Sequence, residues 1–466
     1  MSANHLQPPS VRLRGPEFGS LTTRIVLASS NGLRRHIGFE TSGILAGPIP
    51  RFVTRKNPSL DNYFADLLLR SSYGAVDYLP SYEEHVILGS PDELNCEVNP
   101  ILTGAVLIGI GGRSQSGNFL KVYDEHAAHG KRTSPSVSEI VYSEHLESFS
   151  GNEGIGSVRR LLNEISHIDS QGGATPGHLY NVLKSLNVAE FIRPGFVFEP
   201  LQYQEKRAVV GACLASVCIA MNDFQNYELE ESIKDLESEW ETYLSKTEKR
   251  IKYGFPDKIV ASAVREIRAS LLKPREPQIN GNPSYLTLKR ILFALRHCWH
   301  PSIVAYLLEF LFEALRQVQQ SFEEIKVADI PVRTWRDGYG FIYYEQVPRD
   351  RLPHRGLLAR MSSQSIKGLV VIFNPASETT AVFGTRYLSQ ADWTSFVGAL
   401  LQTEPDGVWY VPTALDGTFA NFILNGTESF RGVRKTGLSA DNLFDLFIAG
   451  VEKNEVRQRA EGQVST

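Results

Sequence analysis

The sequence predicts an α/β protein: a doubly wound parallel sheet in the first domain, a helical connector, and a smaller C-terminal α+β domain. Three observations point there. Up to about residue 175, short apolar runs alternate with segments of helical spacing, the pattern of repeated strand–helix units. From 176 to 326 the helical spacing takes over. From 327 to 450 strand-like runs return, with two helices among them. The 466 residues also exceed one typical domain. The boundaries expected are a disordered stretch at 1–20, domains at 21–175 and 327–450, the connector at 176–326, and a flexible tail at 451–466.

Composition narrows the class. A net charge of -4 and a pI near 6.3 argue against a broad basic surface for nucleic acid, though not against a narrow basic groove. The cysteines, Cys96, Cys213, Cys218 and Cys298, show no CxxC spacing, which fits a reducing compartment and no structural zinc. The N-terminal residues lack an apolar signal core, and no stretch is apolar for long enough to span a membrane. A cytoplasmic protein is expected.

In chain order, Arg24–Ala28 reads as a first strand and Arg51–Thr54 as a second. Leu60, Phe64, Leu67 and Leu68 give helical spacing to Leu60–Arg70, which puts Asp61 at a strand-to-helix junction. There it is either a carboxylate favoured by the helix dipole or part of a site. Ala75–Leu79 and His85–Leu88 are further strand candidates. The apolar run Ala105–Ile108 reads as a buried strand ending in a glycine turn, Gly109–Gly112. Phe119–Tyr123 is a short strand that delivers Asp124, Glu125, His126 and His129 together. Carboxylates and imidazoles released at one strand end suit a divalent metal or acid–base chemistry. Ser136–Tyr142 reads as a strand, and Gly154–Ile168 as a helix with Asp169 at its end. A carboxylate there opposes the dipole and needs a cation or a donor.

In the connector, helices are expected at Lys206–Met221, Glu228–Arg250, Asp257–Leu271, Leu286–His300 and Ser302–Phe322. The last is apolar enough to be buried or to mediate homo-oligomerisation. His297-Cys298-Trp299-His300 reads as a helix-terminal histidine pair rather than a metal site, because consecutive residues on a helix point in different directions and a proline follows. In the last domain Gly338–Val347, Gly368–Phe373 and Thr380–Phe383 read as an antiparallel meander. A helix follows at Leu388–Leu401 with Trp393 and Phe396 in the core. Strands at Val408–Val411 and Ala420–Leu424 and a helix at Leu438–Ile448 complete the domain. Lys131 and Arg132 either hold a phosphate or form a solvated basic turn. Arg431, Arg434 and Lys435, set among glycines before a helix, suit an anion site.

These motifs, in this order, resemble the DHH phosphoesterase superfamily, most of all its Myg-type exonuclease branch. The residues concerned are Asn57-Pro58 opening a helix, a strand ending in Gly111-Gly112, Asp124-Glu125-His126, Ile168-Asp169, Trp335-Arg336, Val347-Pro348 and Arg355-Gly356-Leu357. The resemblance implies a two-metal, usually manganese, phosphoesterase whose C-terminal domain grips the substrate across a cleft. It carries over Asp61, Asp124, His126 and Asp169 as ligands, with Glu125 as a further one and His129 assisting. Four family positions differ. Arg55 stands at the first histidine, Ser59 at the first aspartate, Gly109 at the aspartate before the glycine pair, and Glu125 at the first histidine of the triplet. The remaining set suits one hard ion, Mn2+ or Mg2+, with Asp124 and His126 catalytic and Arg55 orienting a phosphate. The implied partner is a nucleotide or single-stranded nucleic acid, held also by Lys131, Arg132, Arg431, Arg434 and Lys435. Two alternatives stay open: a catalytically degenerate relative that binds nucleotide, nucleic acid or a protein without turnover, and an unrelated α/β protein in which these residues are structural.

Overall fold

The computed structural model describes residues 21–38, 50–54, 58–73, 102–110, 118–125, 136–149, 151–171, 177–188, 190–193, 196–200, 203–223, 278–279, 282–327, 330–345, 366–375, 378–385, 387–404, 408–411, 418–425 and 435–464. They fall into two compact units. One holds the described residues up to Glu125 and those from 136 to 323; the other holds those from Glu324 onward.

The first unit opens with a helix, α1 (Leu21–His36), where the sequence suggested a strand at Arg24–Ala28. Its buried residues explain the difference. Thr22, Val26, Ser30 and Arg34 form one row at four-residue spacing, and Ile25, Ser29 and Leu33 the row beside it. A strand would have buried alternate residues instead. After α1 come β1 (Phe52–Thr54), α2 (Leu60–Tyr73), β2 (Val106–Ile108) and β3 (Lys121–Tyr123). The three strands form a parallel sheet in the order β1-β2-β3, with Thr54 opposite Ile108 and Ile108 opposite Tyr123. Strand order follows chain order, so among the described residues the sheet lacks the reversal that defines a doubly wound sheet. Its faces alternate as pleating requires. Phe52, Val106, Ile108 and Tyr123 enter the main core, while Val53, Leu107 and Val122 join Leu102, Ala105, Ile110 and Phe119 on the other side.

Ser136–Tyr142, read as a strand, is instead the start of α3 (Val137–His145), with Ser136 as its N-cap. α4 (Glu153–Gln171) runs on past Ile168, so Asp169 lies inside its last turn. α5 (Leu179–Val188), a hairpin of β4 (Glu190–Arg193) and β5 (Phe196–Pro200), and α6 (Tyr203–Asp223) follow. A second hairpin, β6 (Gln278–Ile279) with β7 (Asn282–Pro283), precedes α7 (Leu288–Cys298) and α8 (Pro301–Val327). The expected helices at 228–250 and 257–271, and the strand candidates at 75–79 and 85–88, lie outside the described residues.

The 176–326 stretch shares one core with the sheet. Leu183, Val209, Leu214, Leu292, Leu311 and Leu315 pack in the same cluster as Ile25, Phe64 and Ile108. Cys213 and Cys218 are buried in α6 as free thiols, with burial pushing both pKa values up. Two buried polar networks tie the helices together. Asp66 on α2 accepts from Arg70 at 3.0 Å and from Arg207 on α6 at 2.9 Å. Glu164 on α4 meets His178 Nε2 at 2.8 Å and accepts from Ser284 Oγ at 2.6 Å and from the backbone of Tyr285 and Leu286.

The second unit is a six-stranded sheet in the order β12-β13-β11-β10-β9-β8. Its strands are β8 (Val332–Thr334), β9 (Tyr339–Glu345), β10 (Lys367–Asn374), β11 (Thr379–Gly384), β12 (Trp409–Tyr410) and β13 (Phe422–Asn425). The expected meander fails at one pairing: β9 and β10 run parallel, Tyr339 opposite Lys367. A parallel neighbour needs a crossover rather than a hairpin, and the stretch from 346 to 366 is long enough for one. α9 (Gln390–Thr403) and α10 (Ala440–Val464) cover one face, with Trp393, Phe396, Leu443, Phe447 and Val451 against Phe341, Val371 and Ile423. α10 does not fray after Val451; it continues to Val464, and Asn454 donates to buried Asp392 at 2.8 Å. Among the described residues no helix is long and apolar enough to cross a membrane.

Candidate metal centre

Three carboxylates from distant parts of the chain meet in the first unit. Asp61, Glu125 and Asp169 each offer an oxygen, and these oxygens all lie within 4.8 Å of one another. Asp61 and Glu125 are buried, at 1% and 2% exposure, and Asp169 is half-buried.

Each position follows from local structure. Ser59 caps α2: its hydroxyl accepts from Asn62 N at 3.2 Å, and the Asn62 side chain accepts from Ser59 N at 3.1 Å. This reciprocal cap fixes the first turn, in which Asp61 is the second residue. Ser59 stands where the resemblance expects an aspartate, and here it serves the helix. Glu125 follows β3 by two residues. Asp169 comes off the last turn of α4.

Asp61 also meets the start of α3. Its Oδ2 accepts from Val137 N at 2.8 Å; its Oδ1 accepts from Ser138 N at 3.1 Å and from the Ser138 hydroxyl. A carboxylate at a helix N-terminus is electrostatically favoured. Even so, burial and then the charges of Asp169 and Glu125 push the Asp61 carboxyl up to about 7, against the pull of the Ser138 hydrogen bonds. Like charges in a desolvated site leave a carboxylate seeking a proton or a cation.

The far end of α3 is held too. Tyr123 of β3 donates from its hydroxyl to Glu144 at 3.1 Å and lies 2.7 Å from His145 Nε2. Burial lowers the His145 pKa. α3 is therefore fastened to β3, just before Glu125, and to the first turn of α2, which carries Asp61.

Gly109 closes β2 at φ +66°, the left-handed region, and its N–H donates to Tyr123 O at 2.7 Å. A Cβ built there would come within 2.1 Å of Asn62 Nδ2. The position that resembles the family's aspartate before the glycine pair therefore has no room for a side chain as Asn62 now stands.

Asp124 is half-buried and not among the three. Arg55, His126, His129, Lys131, Arg132, Arg431 and Arg434 lie outside the described residues. Lys435, in the second unit, is exposed and pairs with Glu378. Beside it Thr436 Oγ1 and Gly437 N donate to Glu404 at 2.6 and 2.8 Å, so a carboxylate of the protein already sits at these donors. His300 is a helix-start residue, its Nδ1 2.9 Å from Ser302 Oγ. The residues missed in the sequence are Ser136 and Ser138. Their signal was present: Ser136 with Glu139 three residues on is a capping-box pattern, and Ser136 Oγ does accept from Glu139 N at 3.2 Å.

The donor set of the trio is all oxygen, with no imidazole or thiolate, and it suits a hard cation such as Mg2+ or Mn2+. No protein-family model matches the chain, and no curated protein matches it significantly. Two solved structures are similar. One is described as the DHH domain of a member of a family of ribosomal proteins, at 12% identity and TM-score 0.34, covering 96% of this chain and 94% of that one. The other is CDC45 from Entamoeba histolytica, at 9% identity and TM-score 0.31, covering 90% and 97%.

Proposed function

We propose that this chain is a divergent DHH-like phosphoesterase that holds one hard divalent cation, Mn2+ or Mg2+, and acts on a phosphoester of a nucleotide or nucleic acid. The observation that carries the reading is the convergence of Asp61, Glu125 and Asp169, three acids far apart in sequence, at the mouth of a parallel sheet. Ligand sites of open parallel sheets lie beyond the carboxyl ends of the strands, and Glu125 follows such an end. A cation bound there would clamp a phosphoryl oxygen and acidify a water. The chain's own part is to hold the three carboxylates together out of solvent, with Asp61 fixed by the start of α3. His126 comes directly after Glu125 and Arg55 directly after Thr54; they are the candidates for moving a proton and orienting a phosphate.

One observation favours a second reading, binding without turnover. Ser59 is committed to a helix cap and Gly109 has no space for a carboxylate as Asn62 stands, so neither position offers a ligand for a second ion. Titration calorimetry with Mn2+ separates the outcomes. The wild type should bind one ion, and Glu125→Gln should weaken it by about tenfold or more. End-labelled single-stranded RNA should then be cut in Mn2+ and left intact by Glu125→Gln. Absence of binding at millimolar Mn2+ sinks the metal reading. Binding of ion and RNA with no cleavage leaves the second.

A further inference from the structure

We infer that Ser138 is a positioning residue that leaves Asp61 a single ligand atom, Oδ2, and so selects a small, octahedral cation over a larger one. The inference rests on the cation reading above and concerns how the site chooses its ion.

A carboxylate oxygen has about two acceptor positions. Oδ1 of Asp61 has both filled, by Ser138 N at 3.1 Å and by the Ser138 hydroxyl. Oδ2 has one filled, by Val137 N at 2.8 Å, and keeps one. Ser138 is fully buried, so no bulk water stands ready to replace its hydroxyl. Asp61 can therefore ligate through one oxygen without breaking a bond to α3, and through two only by losing one.

Ser138 is itself held. Its hydroxyl lies 3.3 Å from Ser136 Oγ, which lies 2.7 Å from Ser166 Oγ on α4, one turn before Asp169. The other end of α3 is tied to Tyr123, two residues before Glu125. α3 thus bears on all three elements that carry the acids, and Ser138 is its contact with Asp61.

Mg2+ and Mn2+ prefer near-octahedral sites, whereas Ca2+ takes more oxygens and readily accepts bidentate carboxylates. Freeing Oδ1 should favour the larger ion. The test is calorimetry with Mn2+ and with Ca2+ on the full chain, wild type against Ser138→Ala. The expected result is Mn2+ binding about tenfold weaker while Ca2+ holds or tightens, so that the ratio of affinities shifts by about tenfold or more. Ser138→Cys, a poorer donor of similar size, should shift the ratio the same way by less, and it serves if the alanine variant does not fold. Parallel weakening of both ions, or no change in either, overturns the inference and leaves the cation reading intact. A wild type that binds neither ion removes both.

Discussion

Glu164 and Asp61 are both carboxylates buried in the first unit, yet their oxygens keep opposite company. Around Glu164 stand donors: His178 Nε2 at 2.8 Å, Ser284 Oγ at 2.6 Å, Tyr285 N at 2.6 Å and Leu286 N at 3.2 Å. His178 Nδ1 accepts from Tyr180 N at 3.0 Å, which assigns the ring proton to Nε2, facing the glutamate. Burial would raise the Glu164 carboxyl, but the His178, Ser284 and Tyr285 bonds hold it below the usual carboxylate range. Asp61 has three donors of its own, but Glu125 and Asp169 share its space, and its pKa climbs to about 7. Burial is common to both. What differs is the nearest groups: hydrogen-bond donors surround Glu164 and make it a structural tie, whereas two further acids share the space of Asp61 and oppose its charge.

The largest expected effect tests that contrast. Glu164→Ala strands His178 and the Ser284–Leu286 donors in the core, and urea denaturation should show a loss of about 3–5 kcal/mol, the same with or without Mn2+. Glu125→Gln at pH 8 without metal should cost little or stabilise, because it removes a like charge beside Asp61. Equal losses for the two variants would break the comparison.

Next comes Gly109→Ala, with a left-handed φ and Asn62 in the way; a loss of about 2 kcal/mol is expected, with weaker Mn2+ binding because Asn62 shares the cap that holds Asp61. Wild-type stability would contradict the packing described.

The pH profile sharpens the comparison further, since the two acids act with opposite sign. The folded Glu164 pKa is depressed, so its contribution is present above the unfolded value of about 4.3 and is lost as pH falls through the folded value. The folded Asp61 pKa is raised, so the native state holds a proton that the unfolded chain releases. Stability from Asp61 therefore falls as pH rises from about 4 to about 7. Thermal melts should accordingly show Mn2+ raising the Tm more at pH 8 than at pH 5, and Glu125→Gln should move the falling limb to lower pH. A Mn2+ increment independent of pH would count against protons and cation competing at Asp61. The smallest effect is Ser59→Ala, about 1 kcal/mol from a lost cap.

Much of this was readable in the sequence. Strands at 52–54, 106–108 and 121–123 and most described helices follow the apolar spacing, and Asp61, Glu125 and Asp169 were all candidates before their oxygens were seen to meet. The misreadings have physical causes. Arg24–Ala28 and Ser136–Tyr142 are short runs with β-branched residues, which fit a strand or a buried helix equally well until, for the second, the Ser136 cap is noticed. The β9–β10 pairing depends on a crossover that no local pattern announces. α10 looked finished at Val451 because its remaining surface is charged, yet Val451 and Asn454 still face inward.

Gly109 has a consequence for redesign. No single replacement adds a carboxylate there. A side chain at 109 requires Asn62 to shrink or turn, and Asn62 is the partner that closes the Ser59 cap beneath Asp61. Adding an acid at 109 would first unsettle the turn that carries Asp61, so a fourth carboxylate is better introduced elsewhere around the trio.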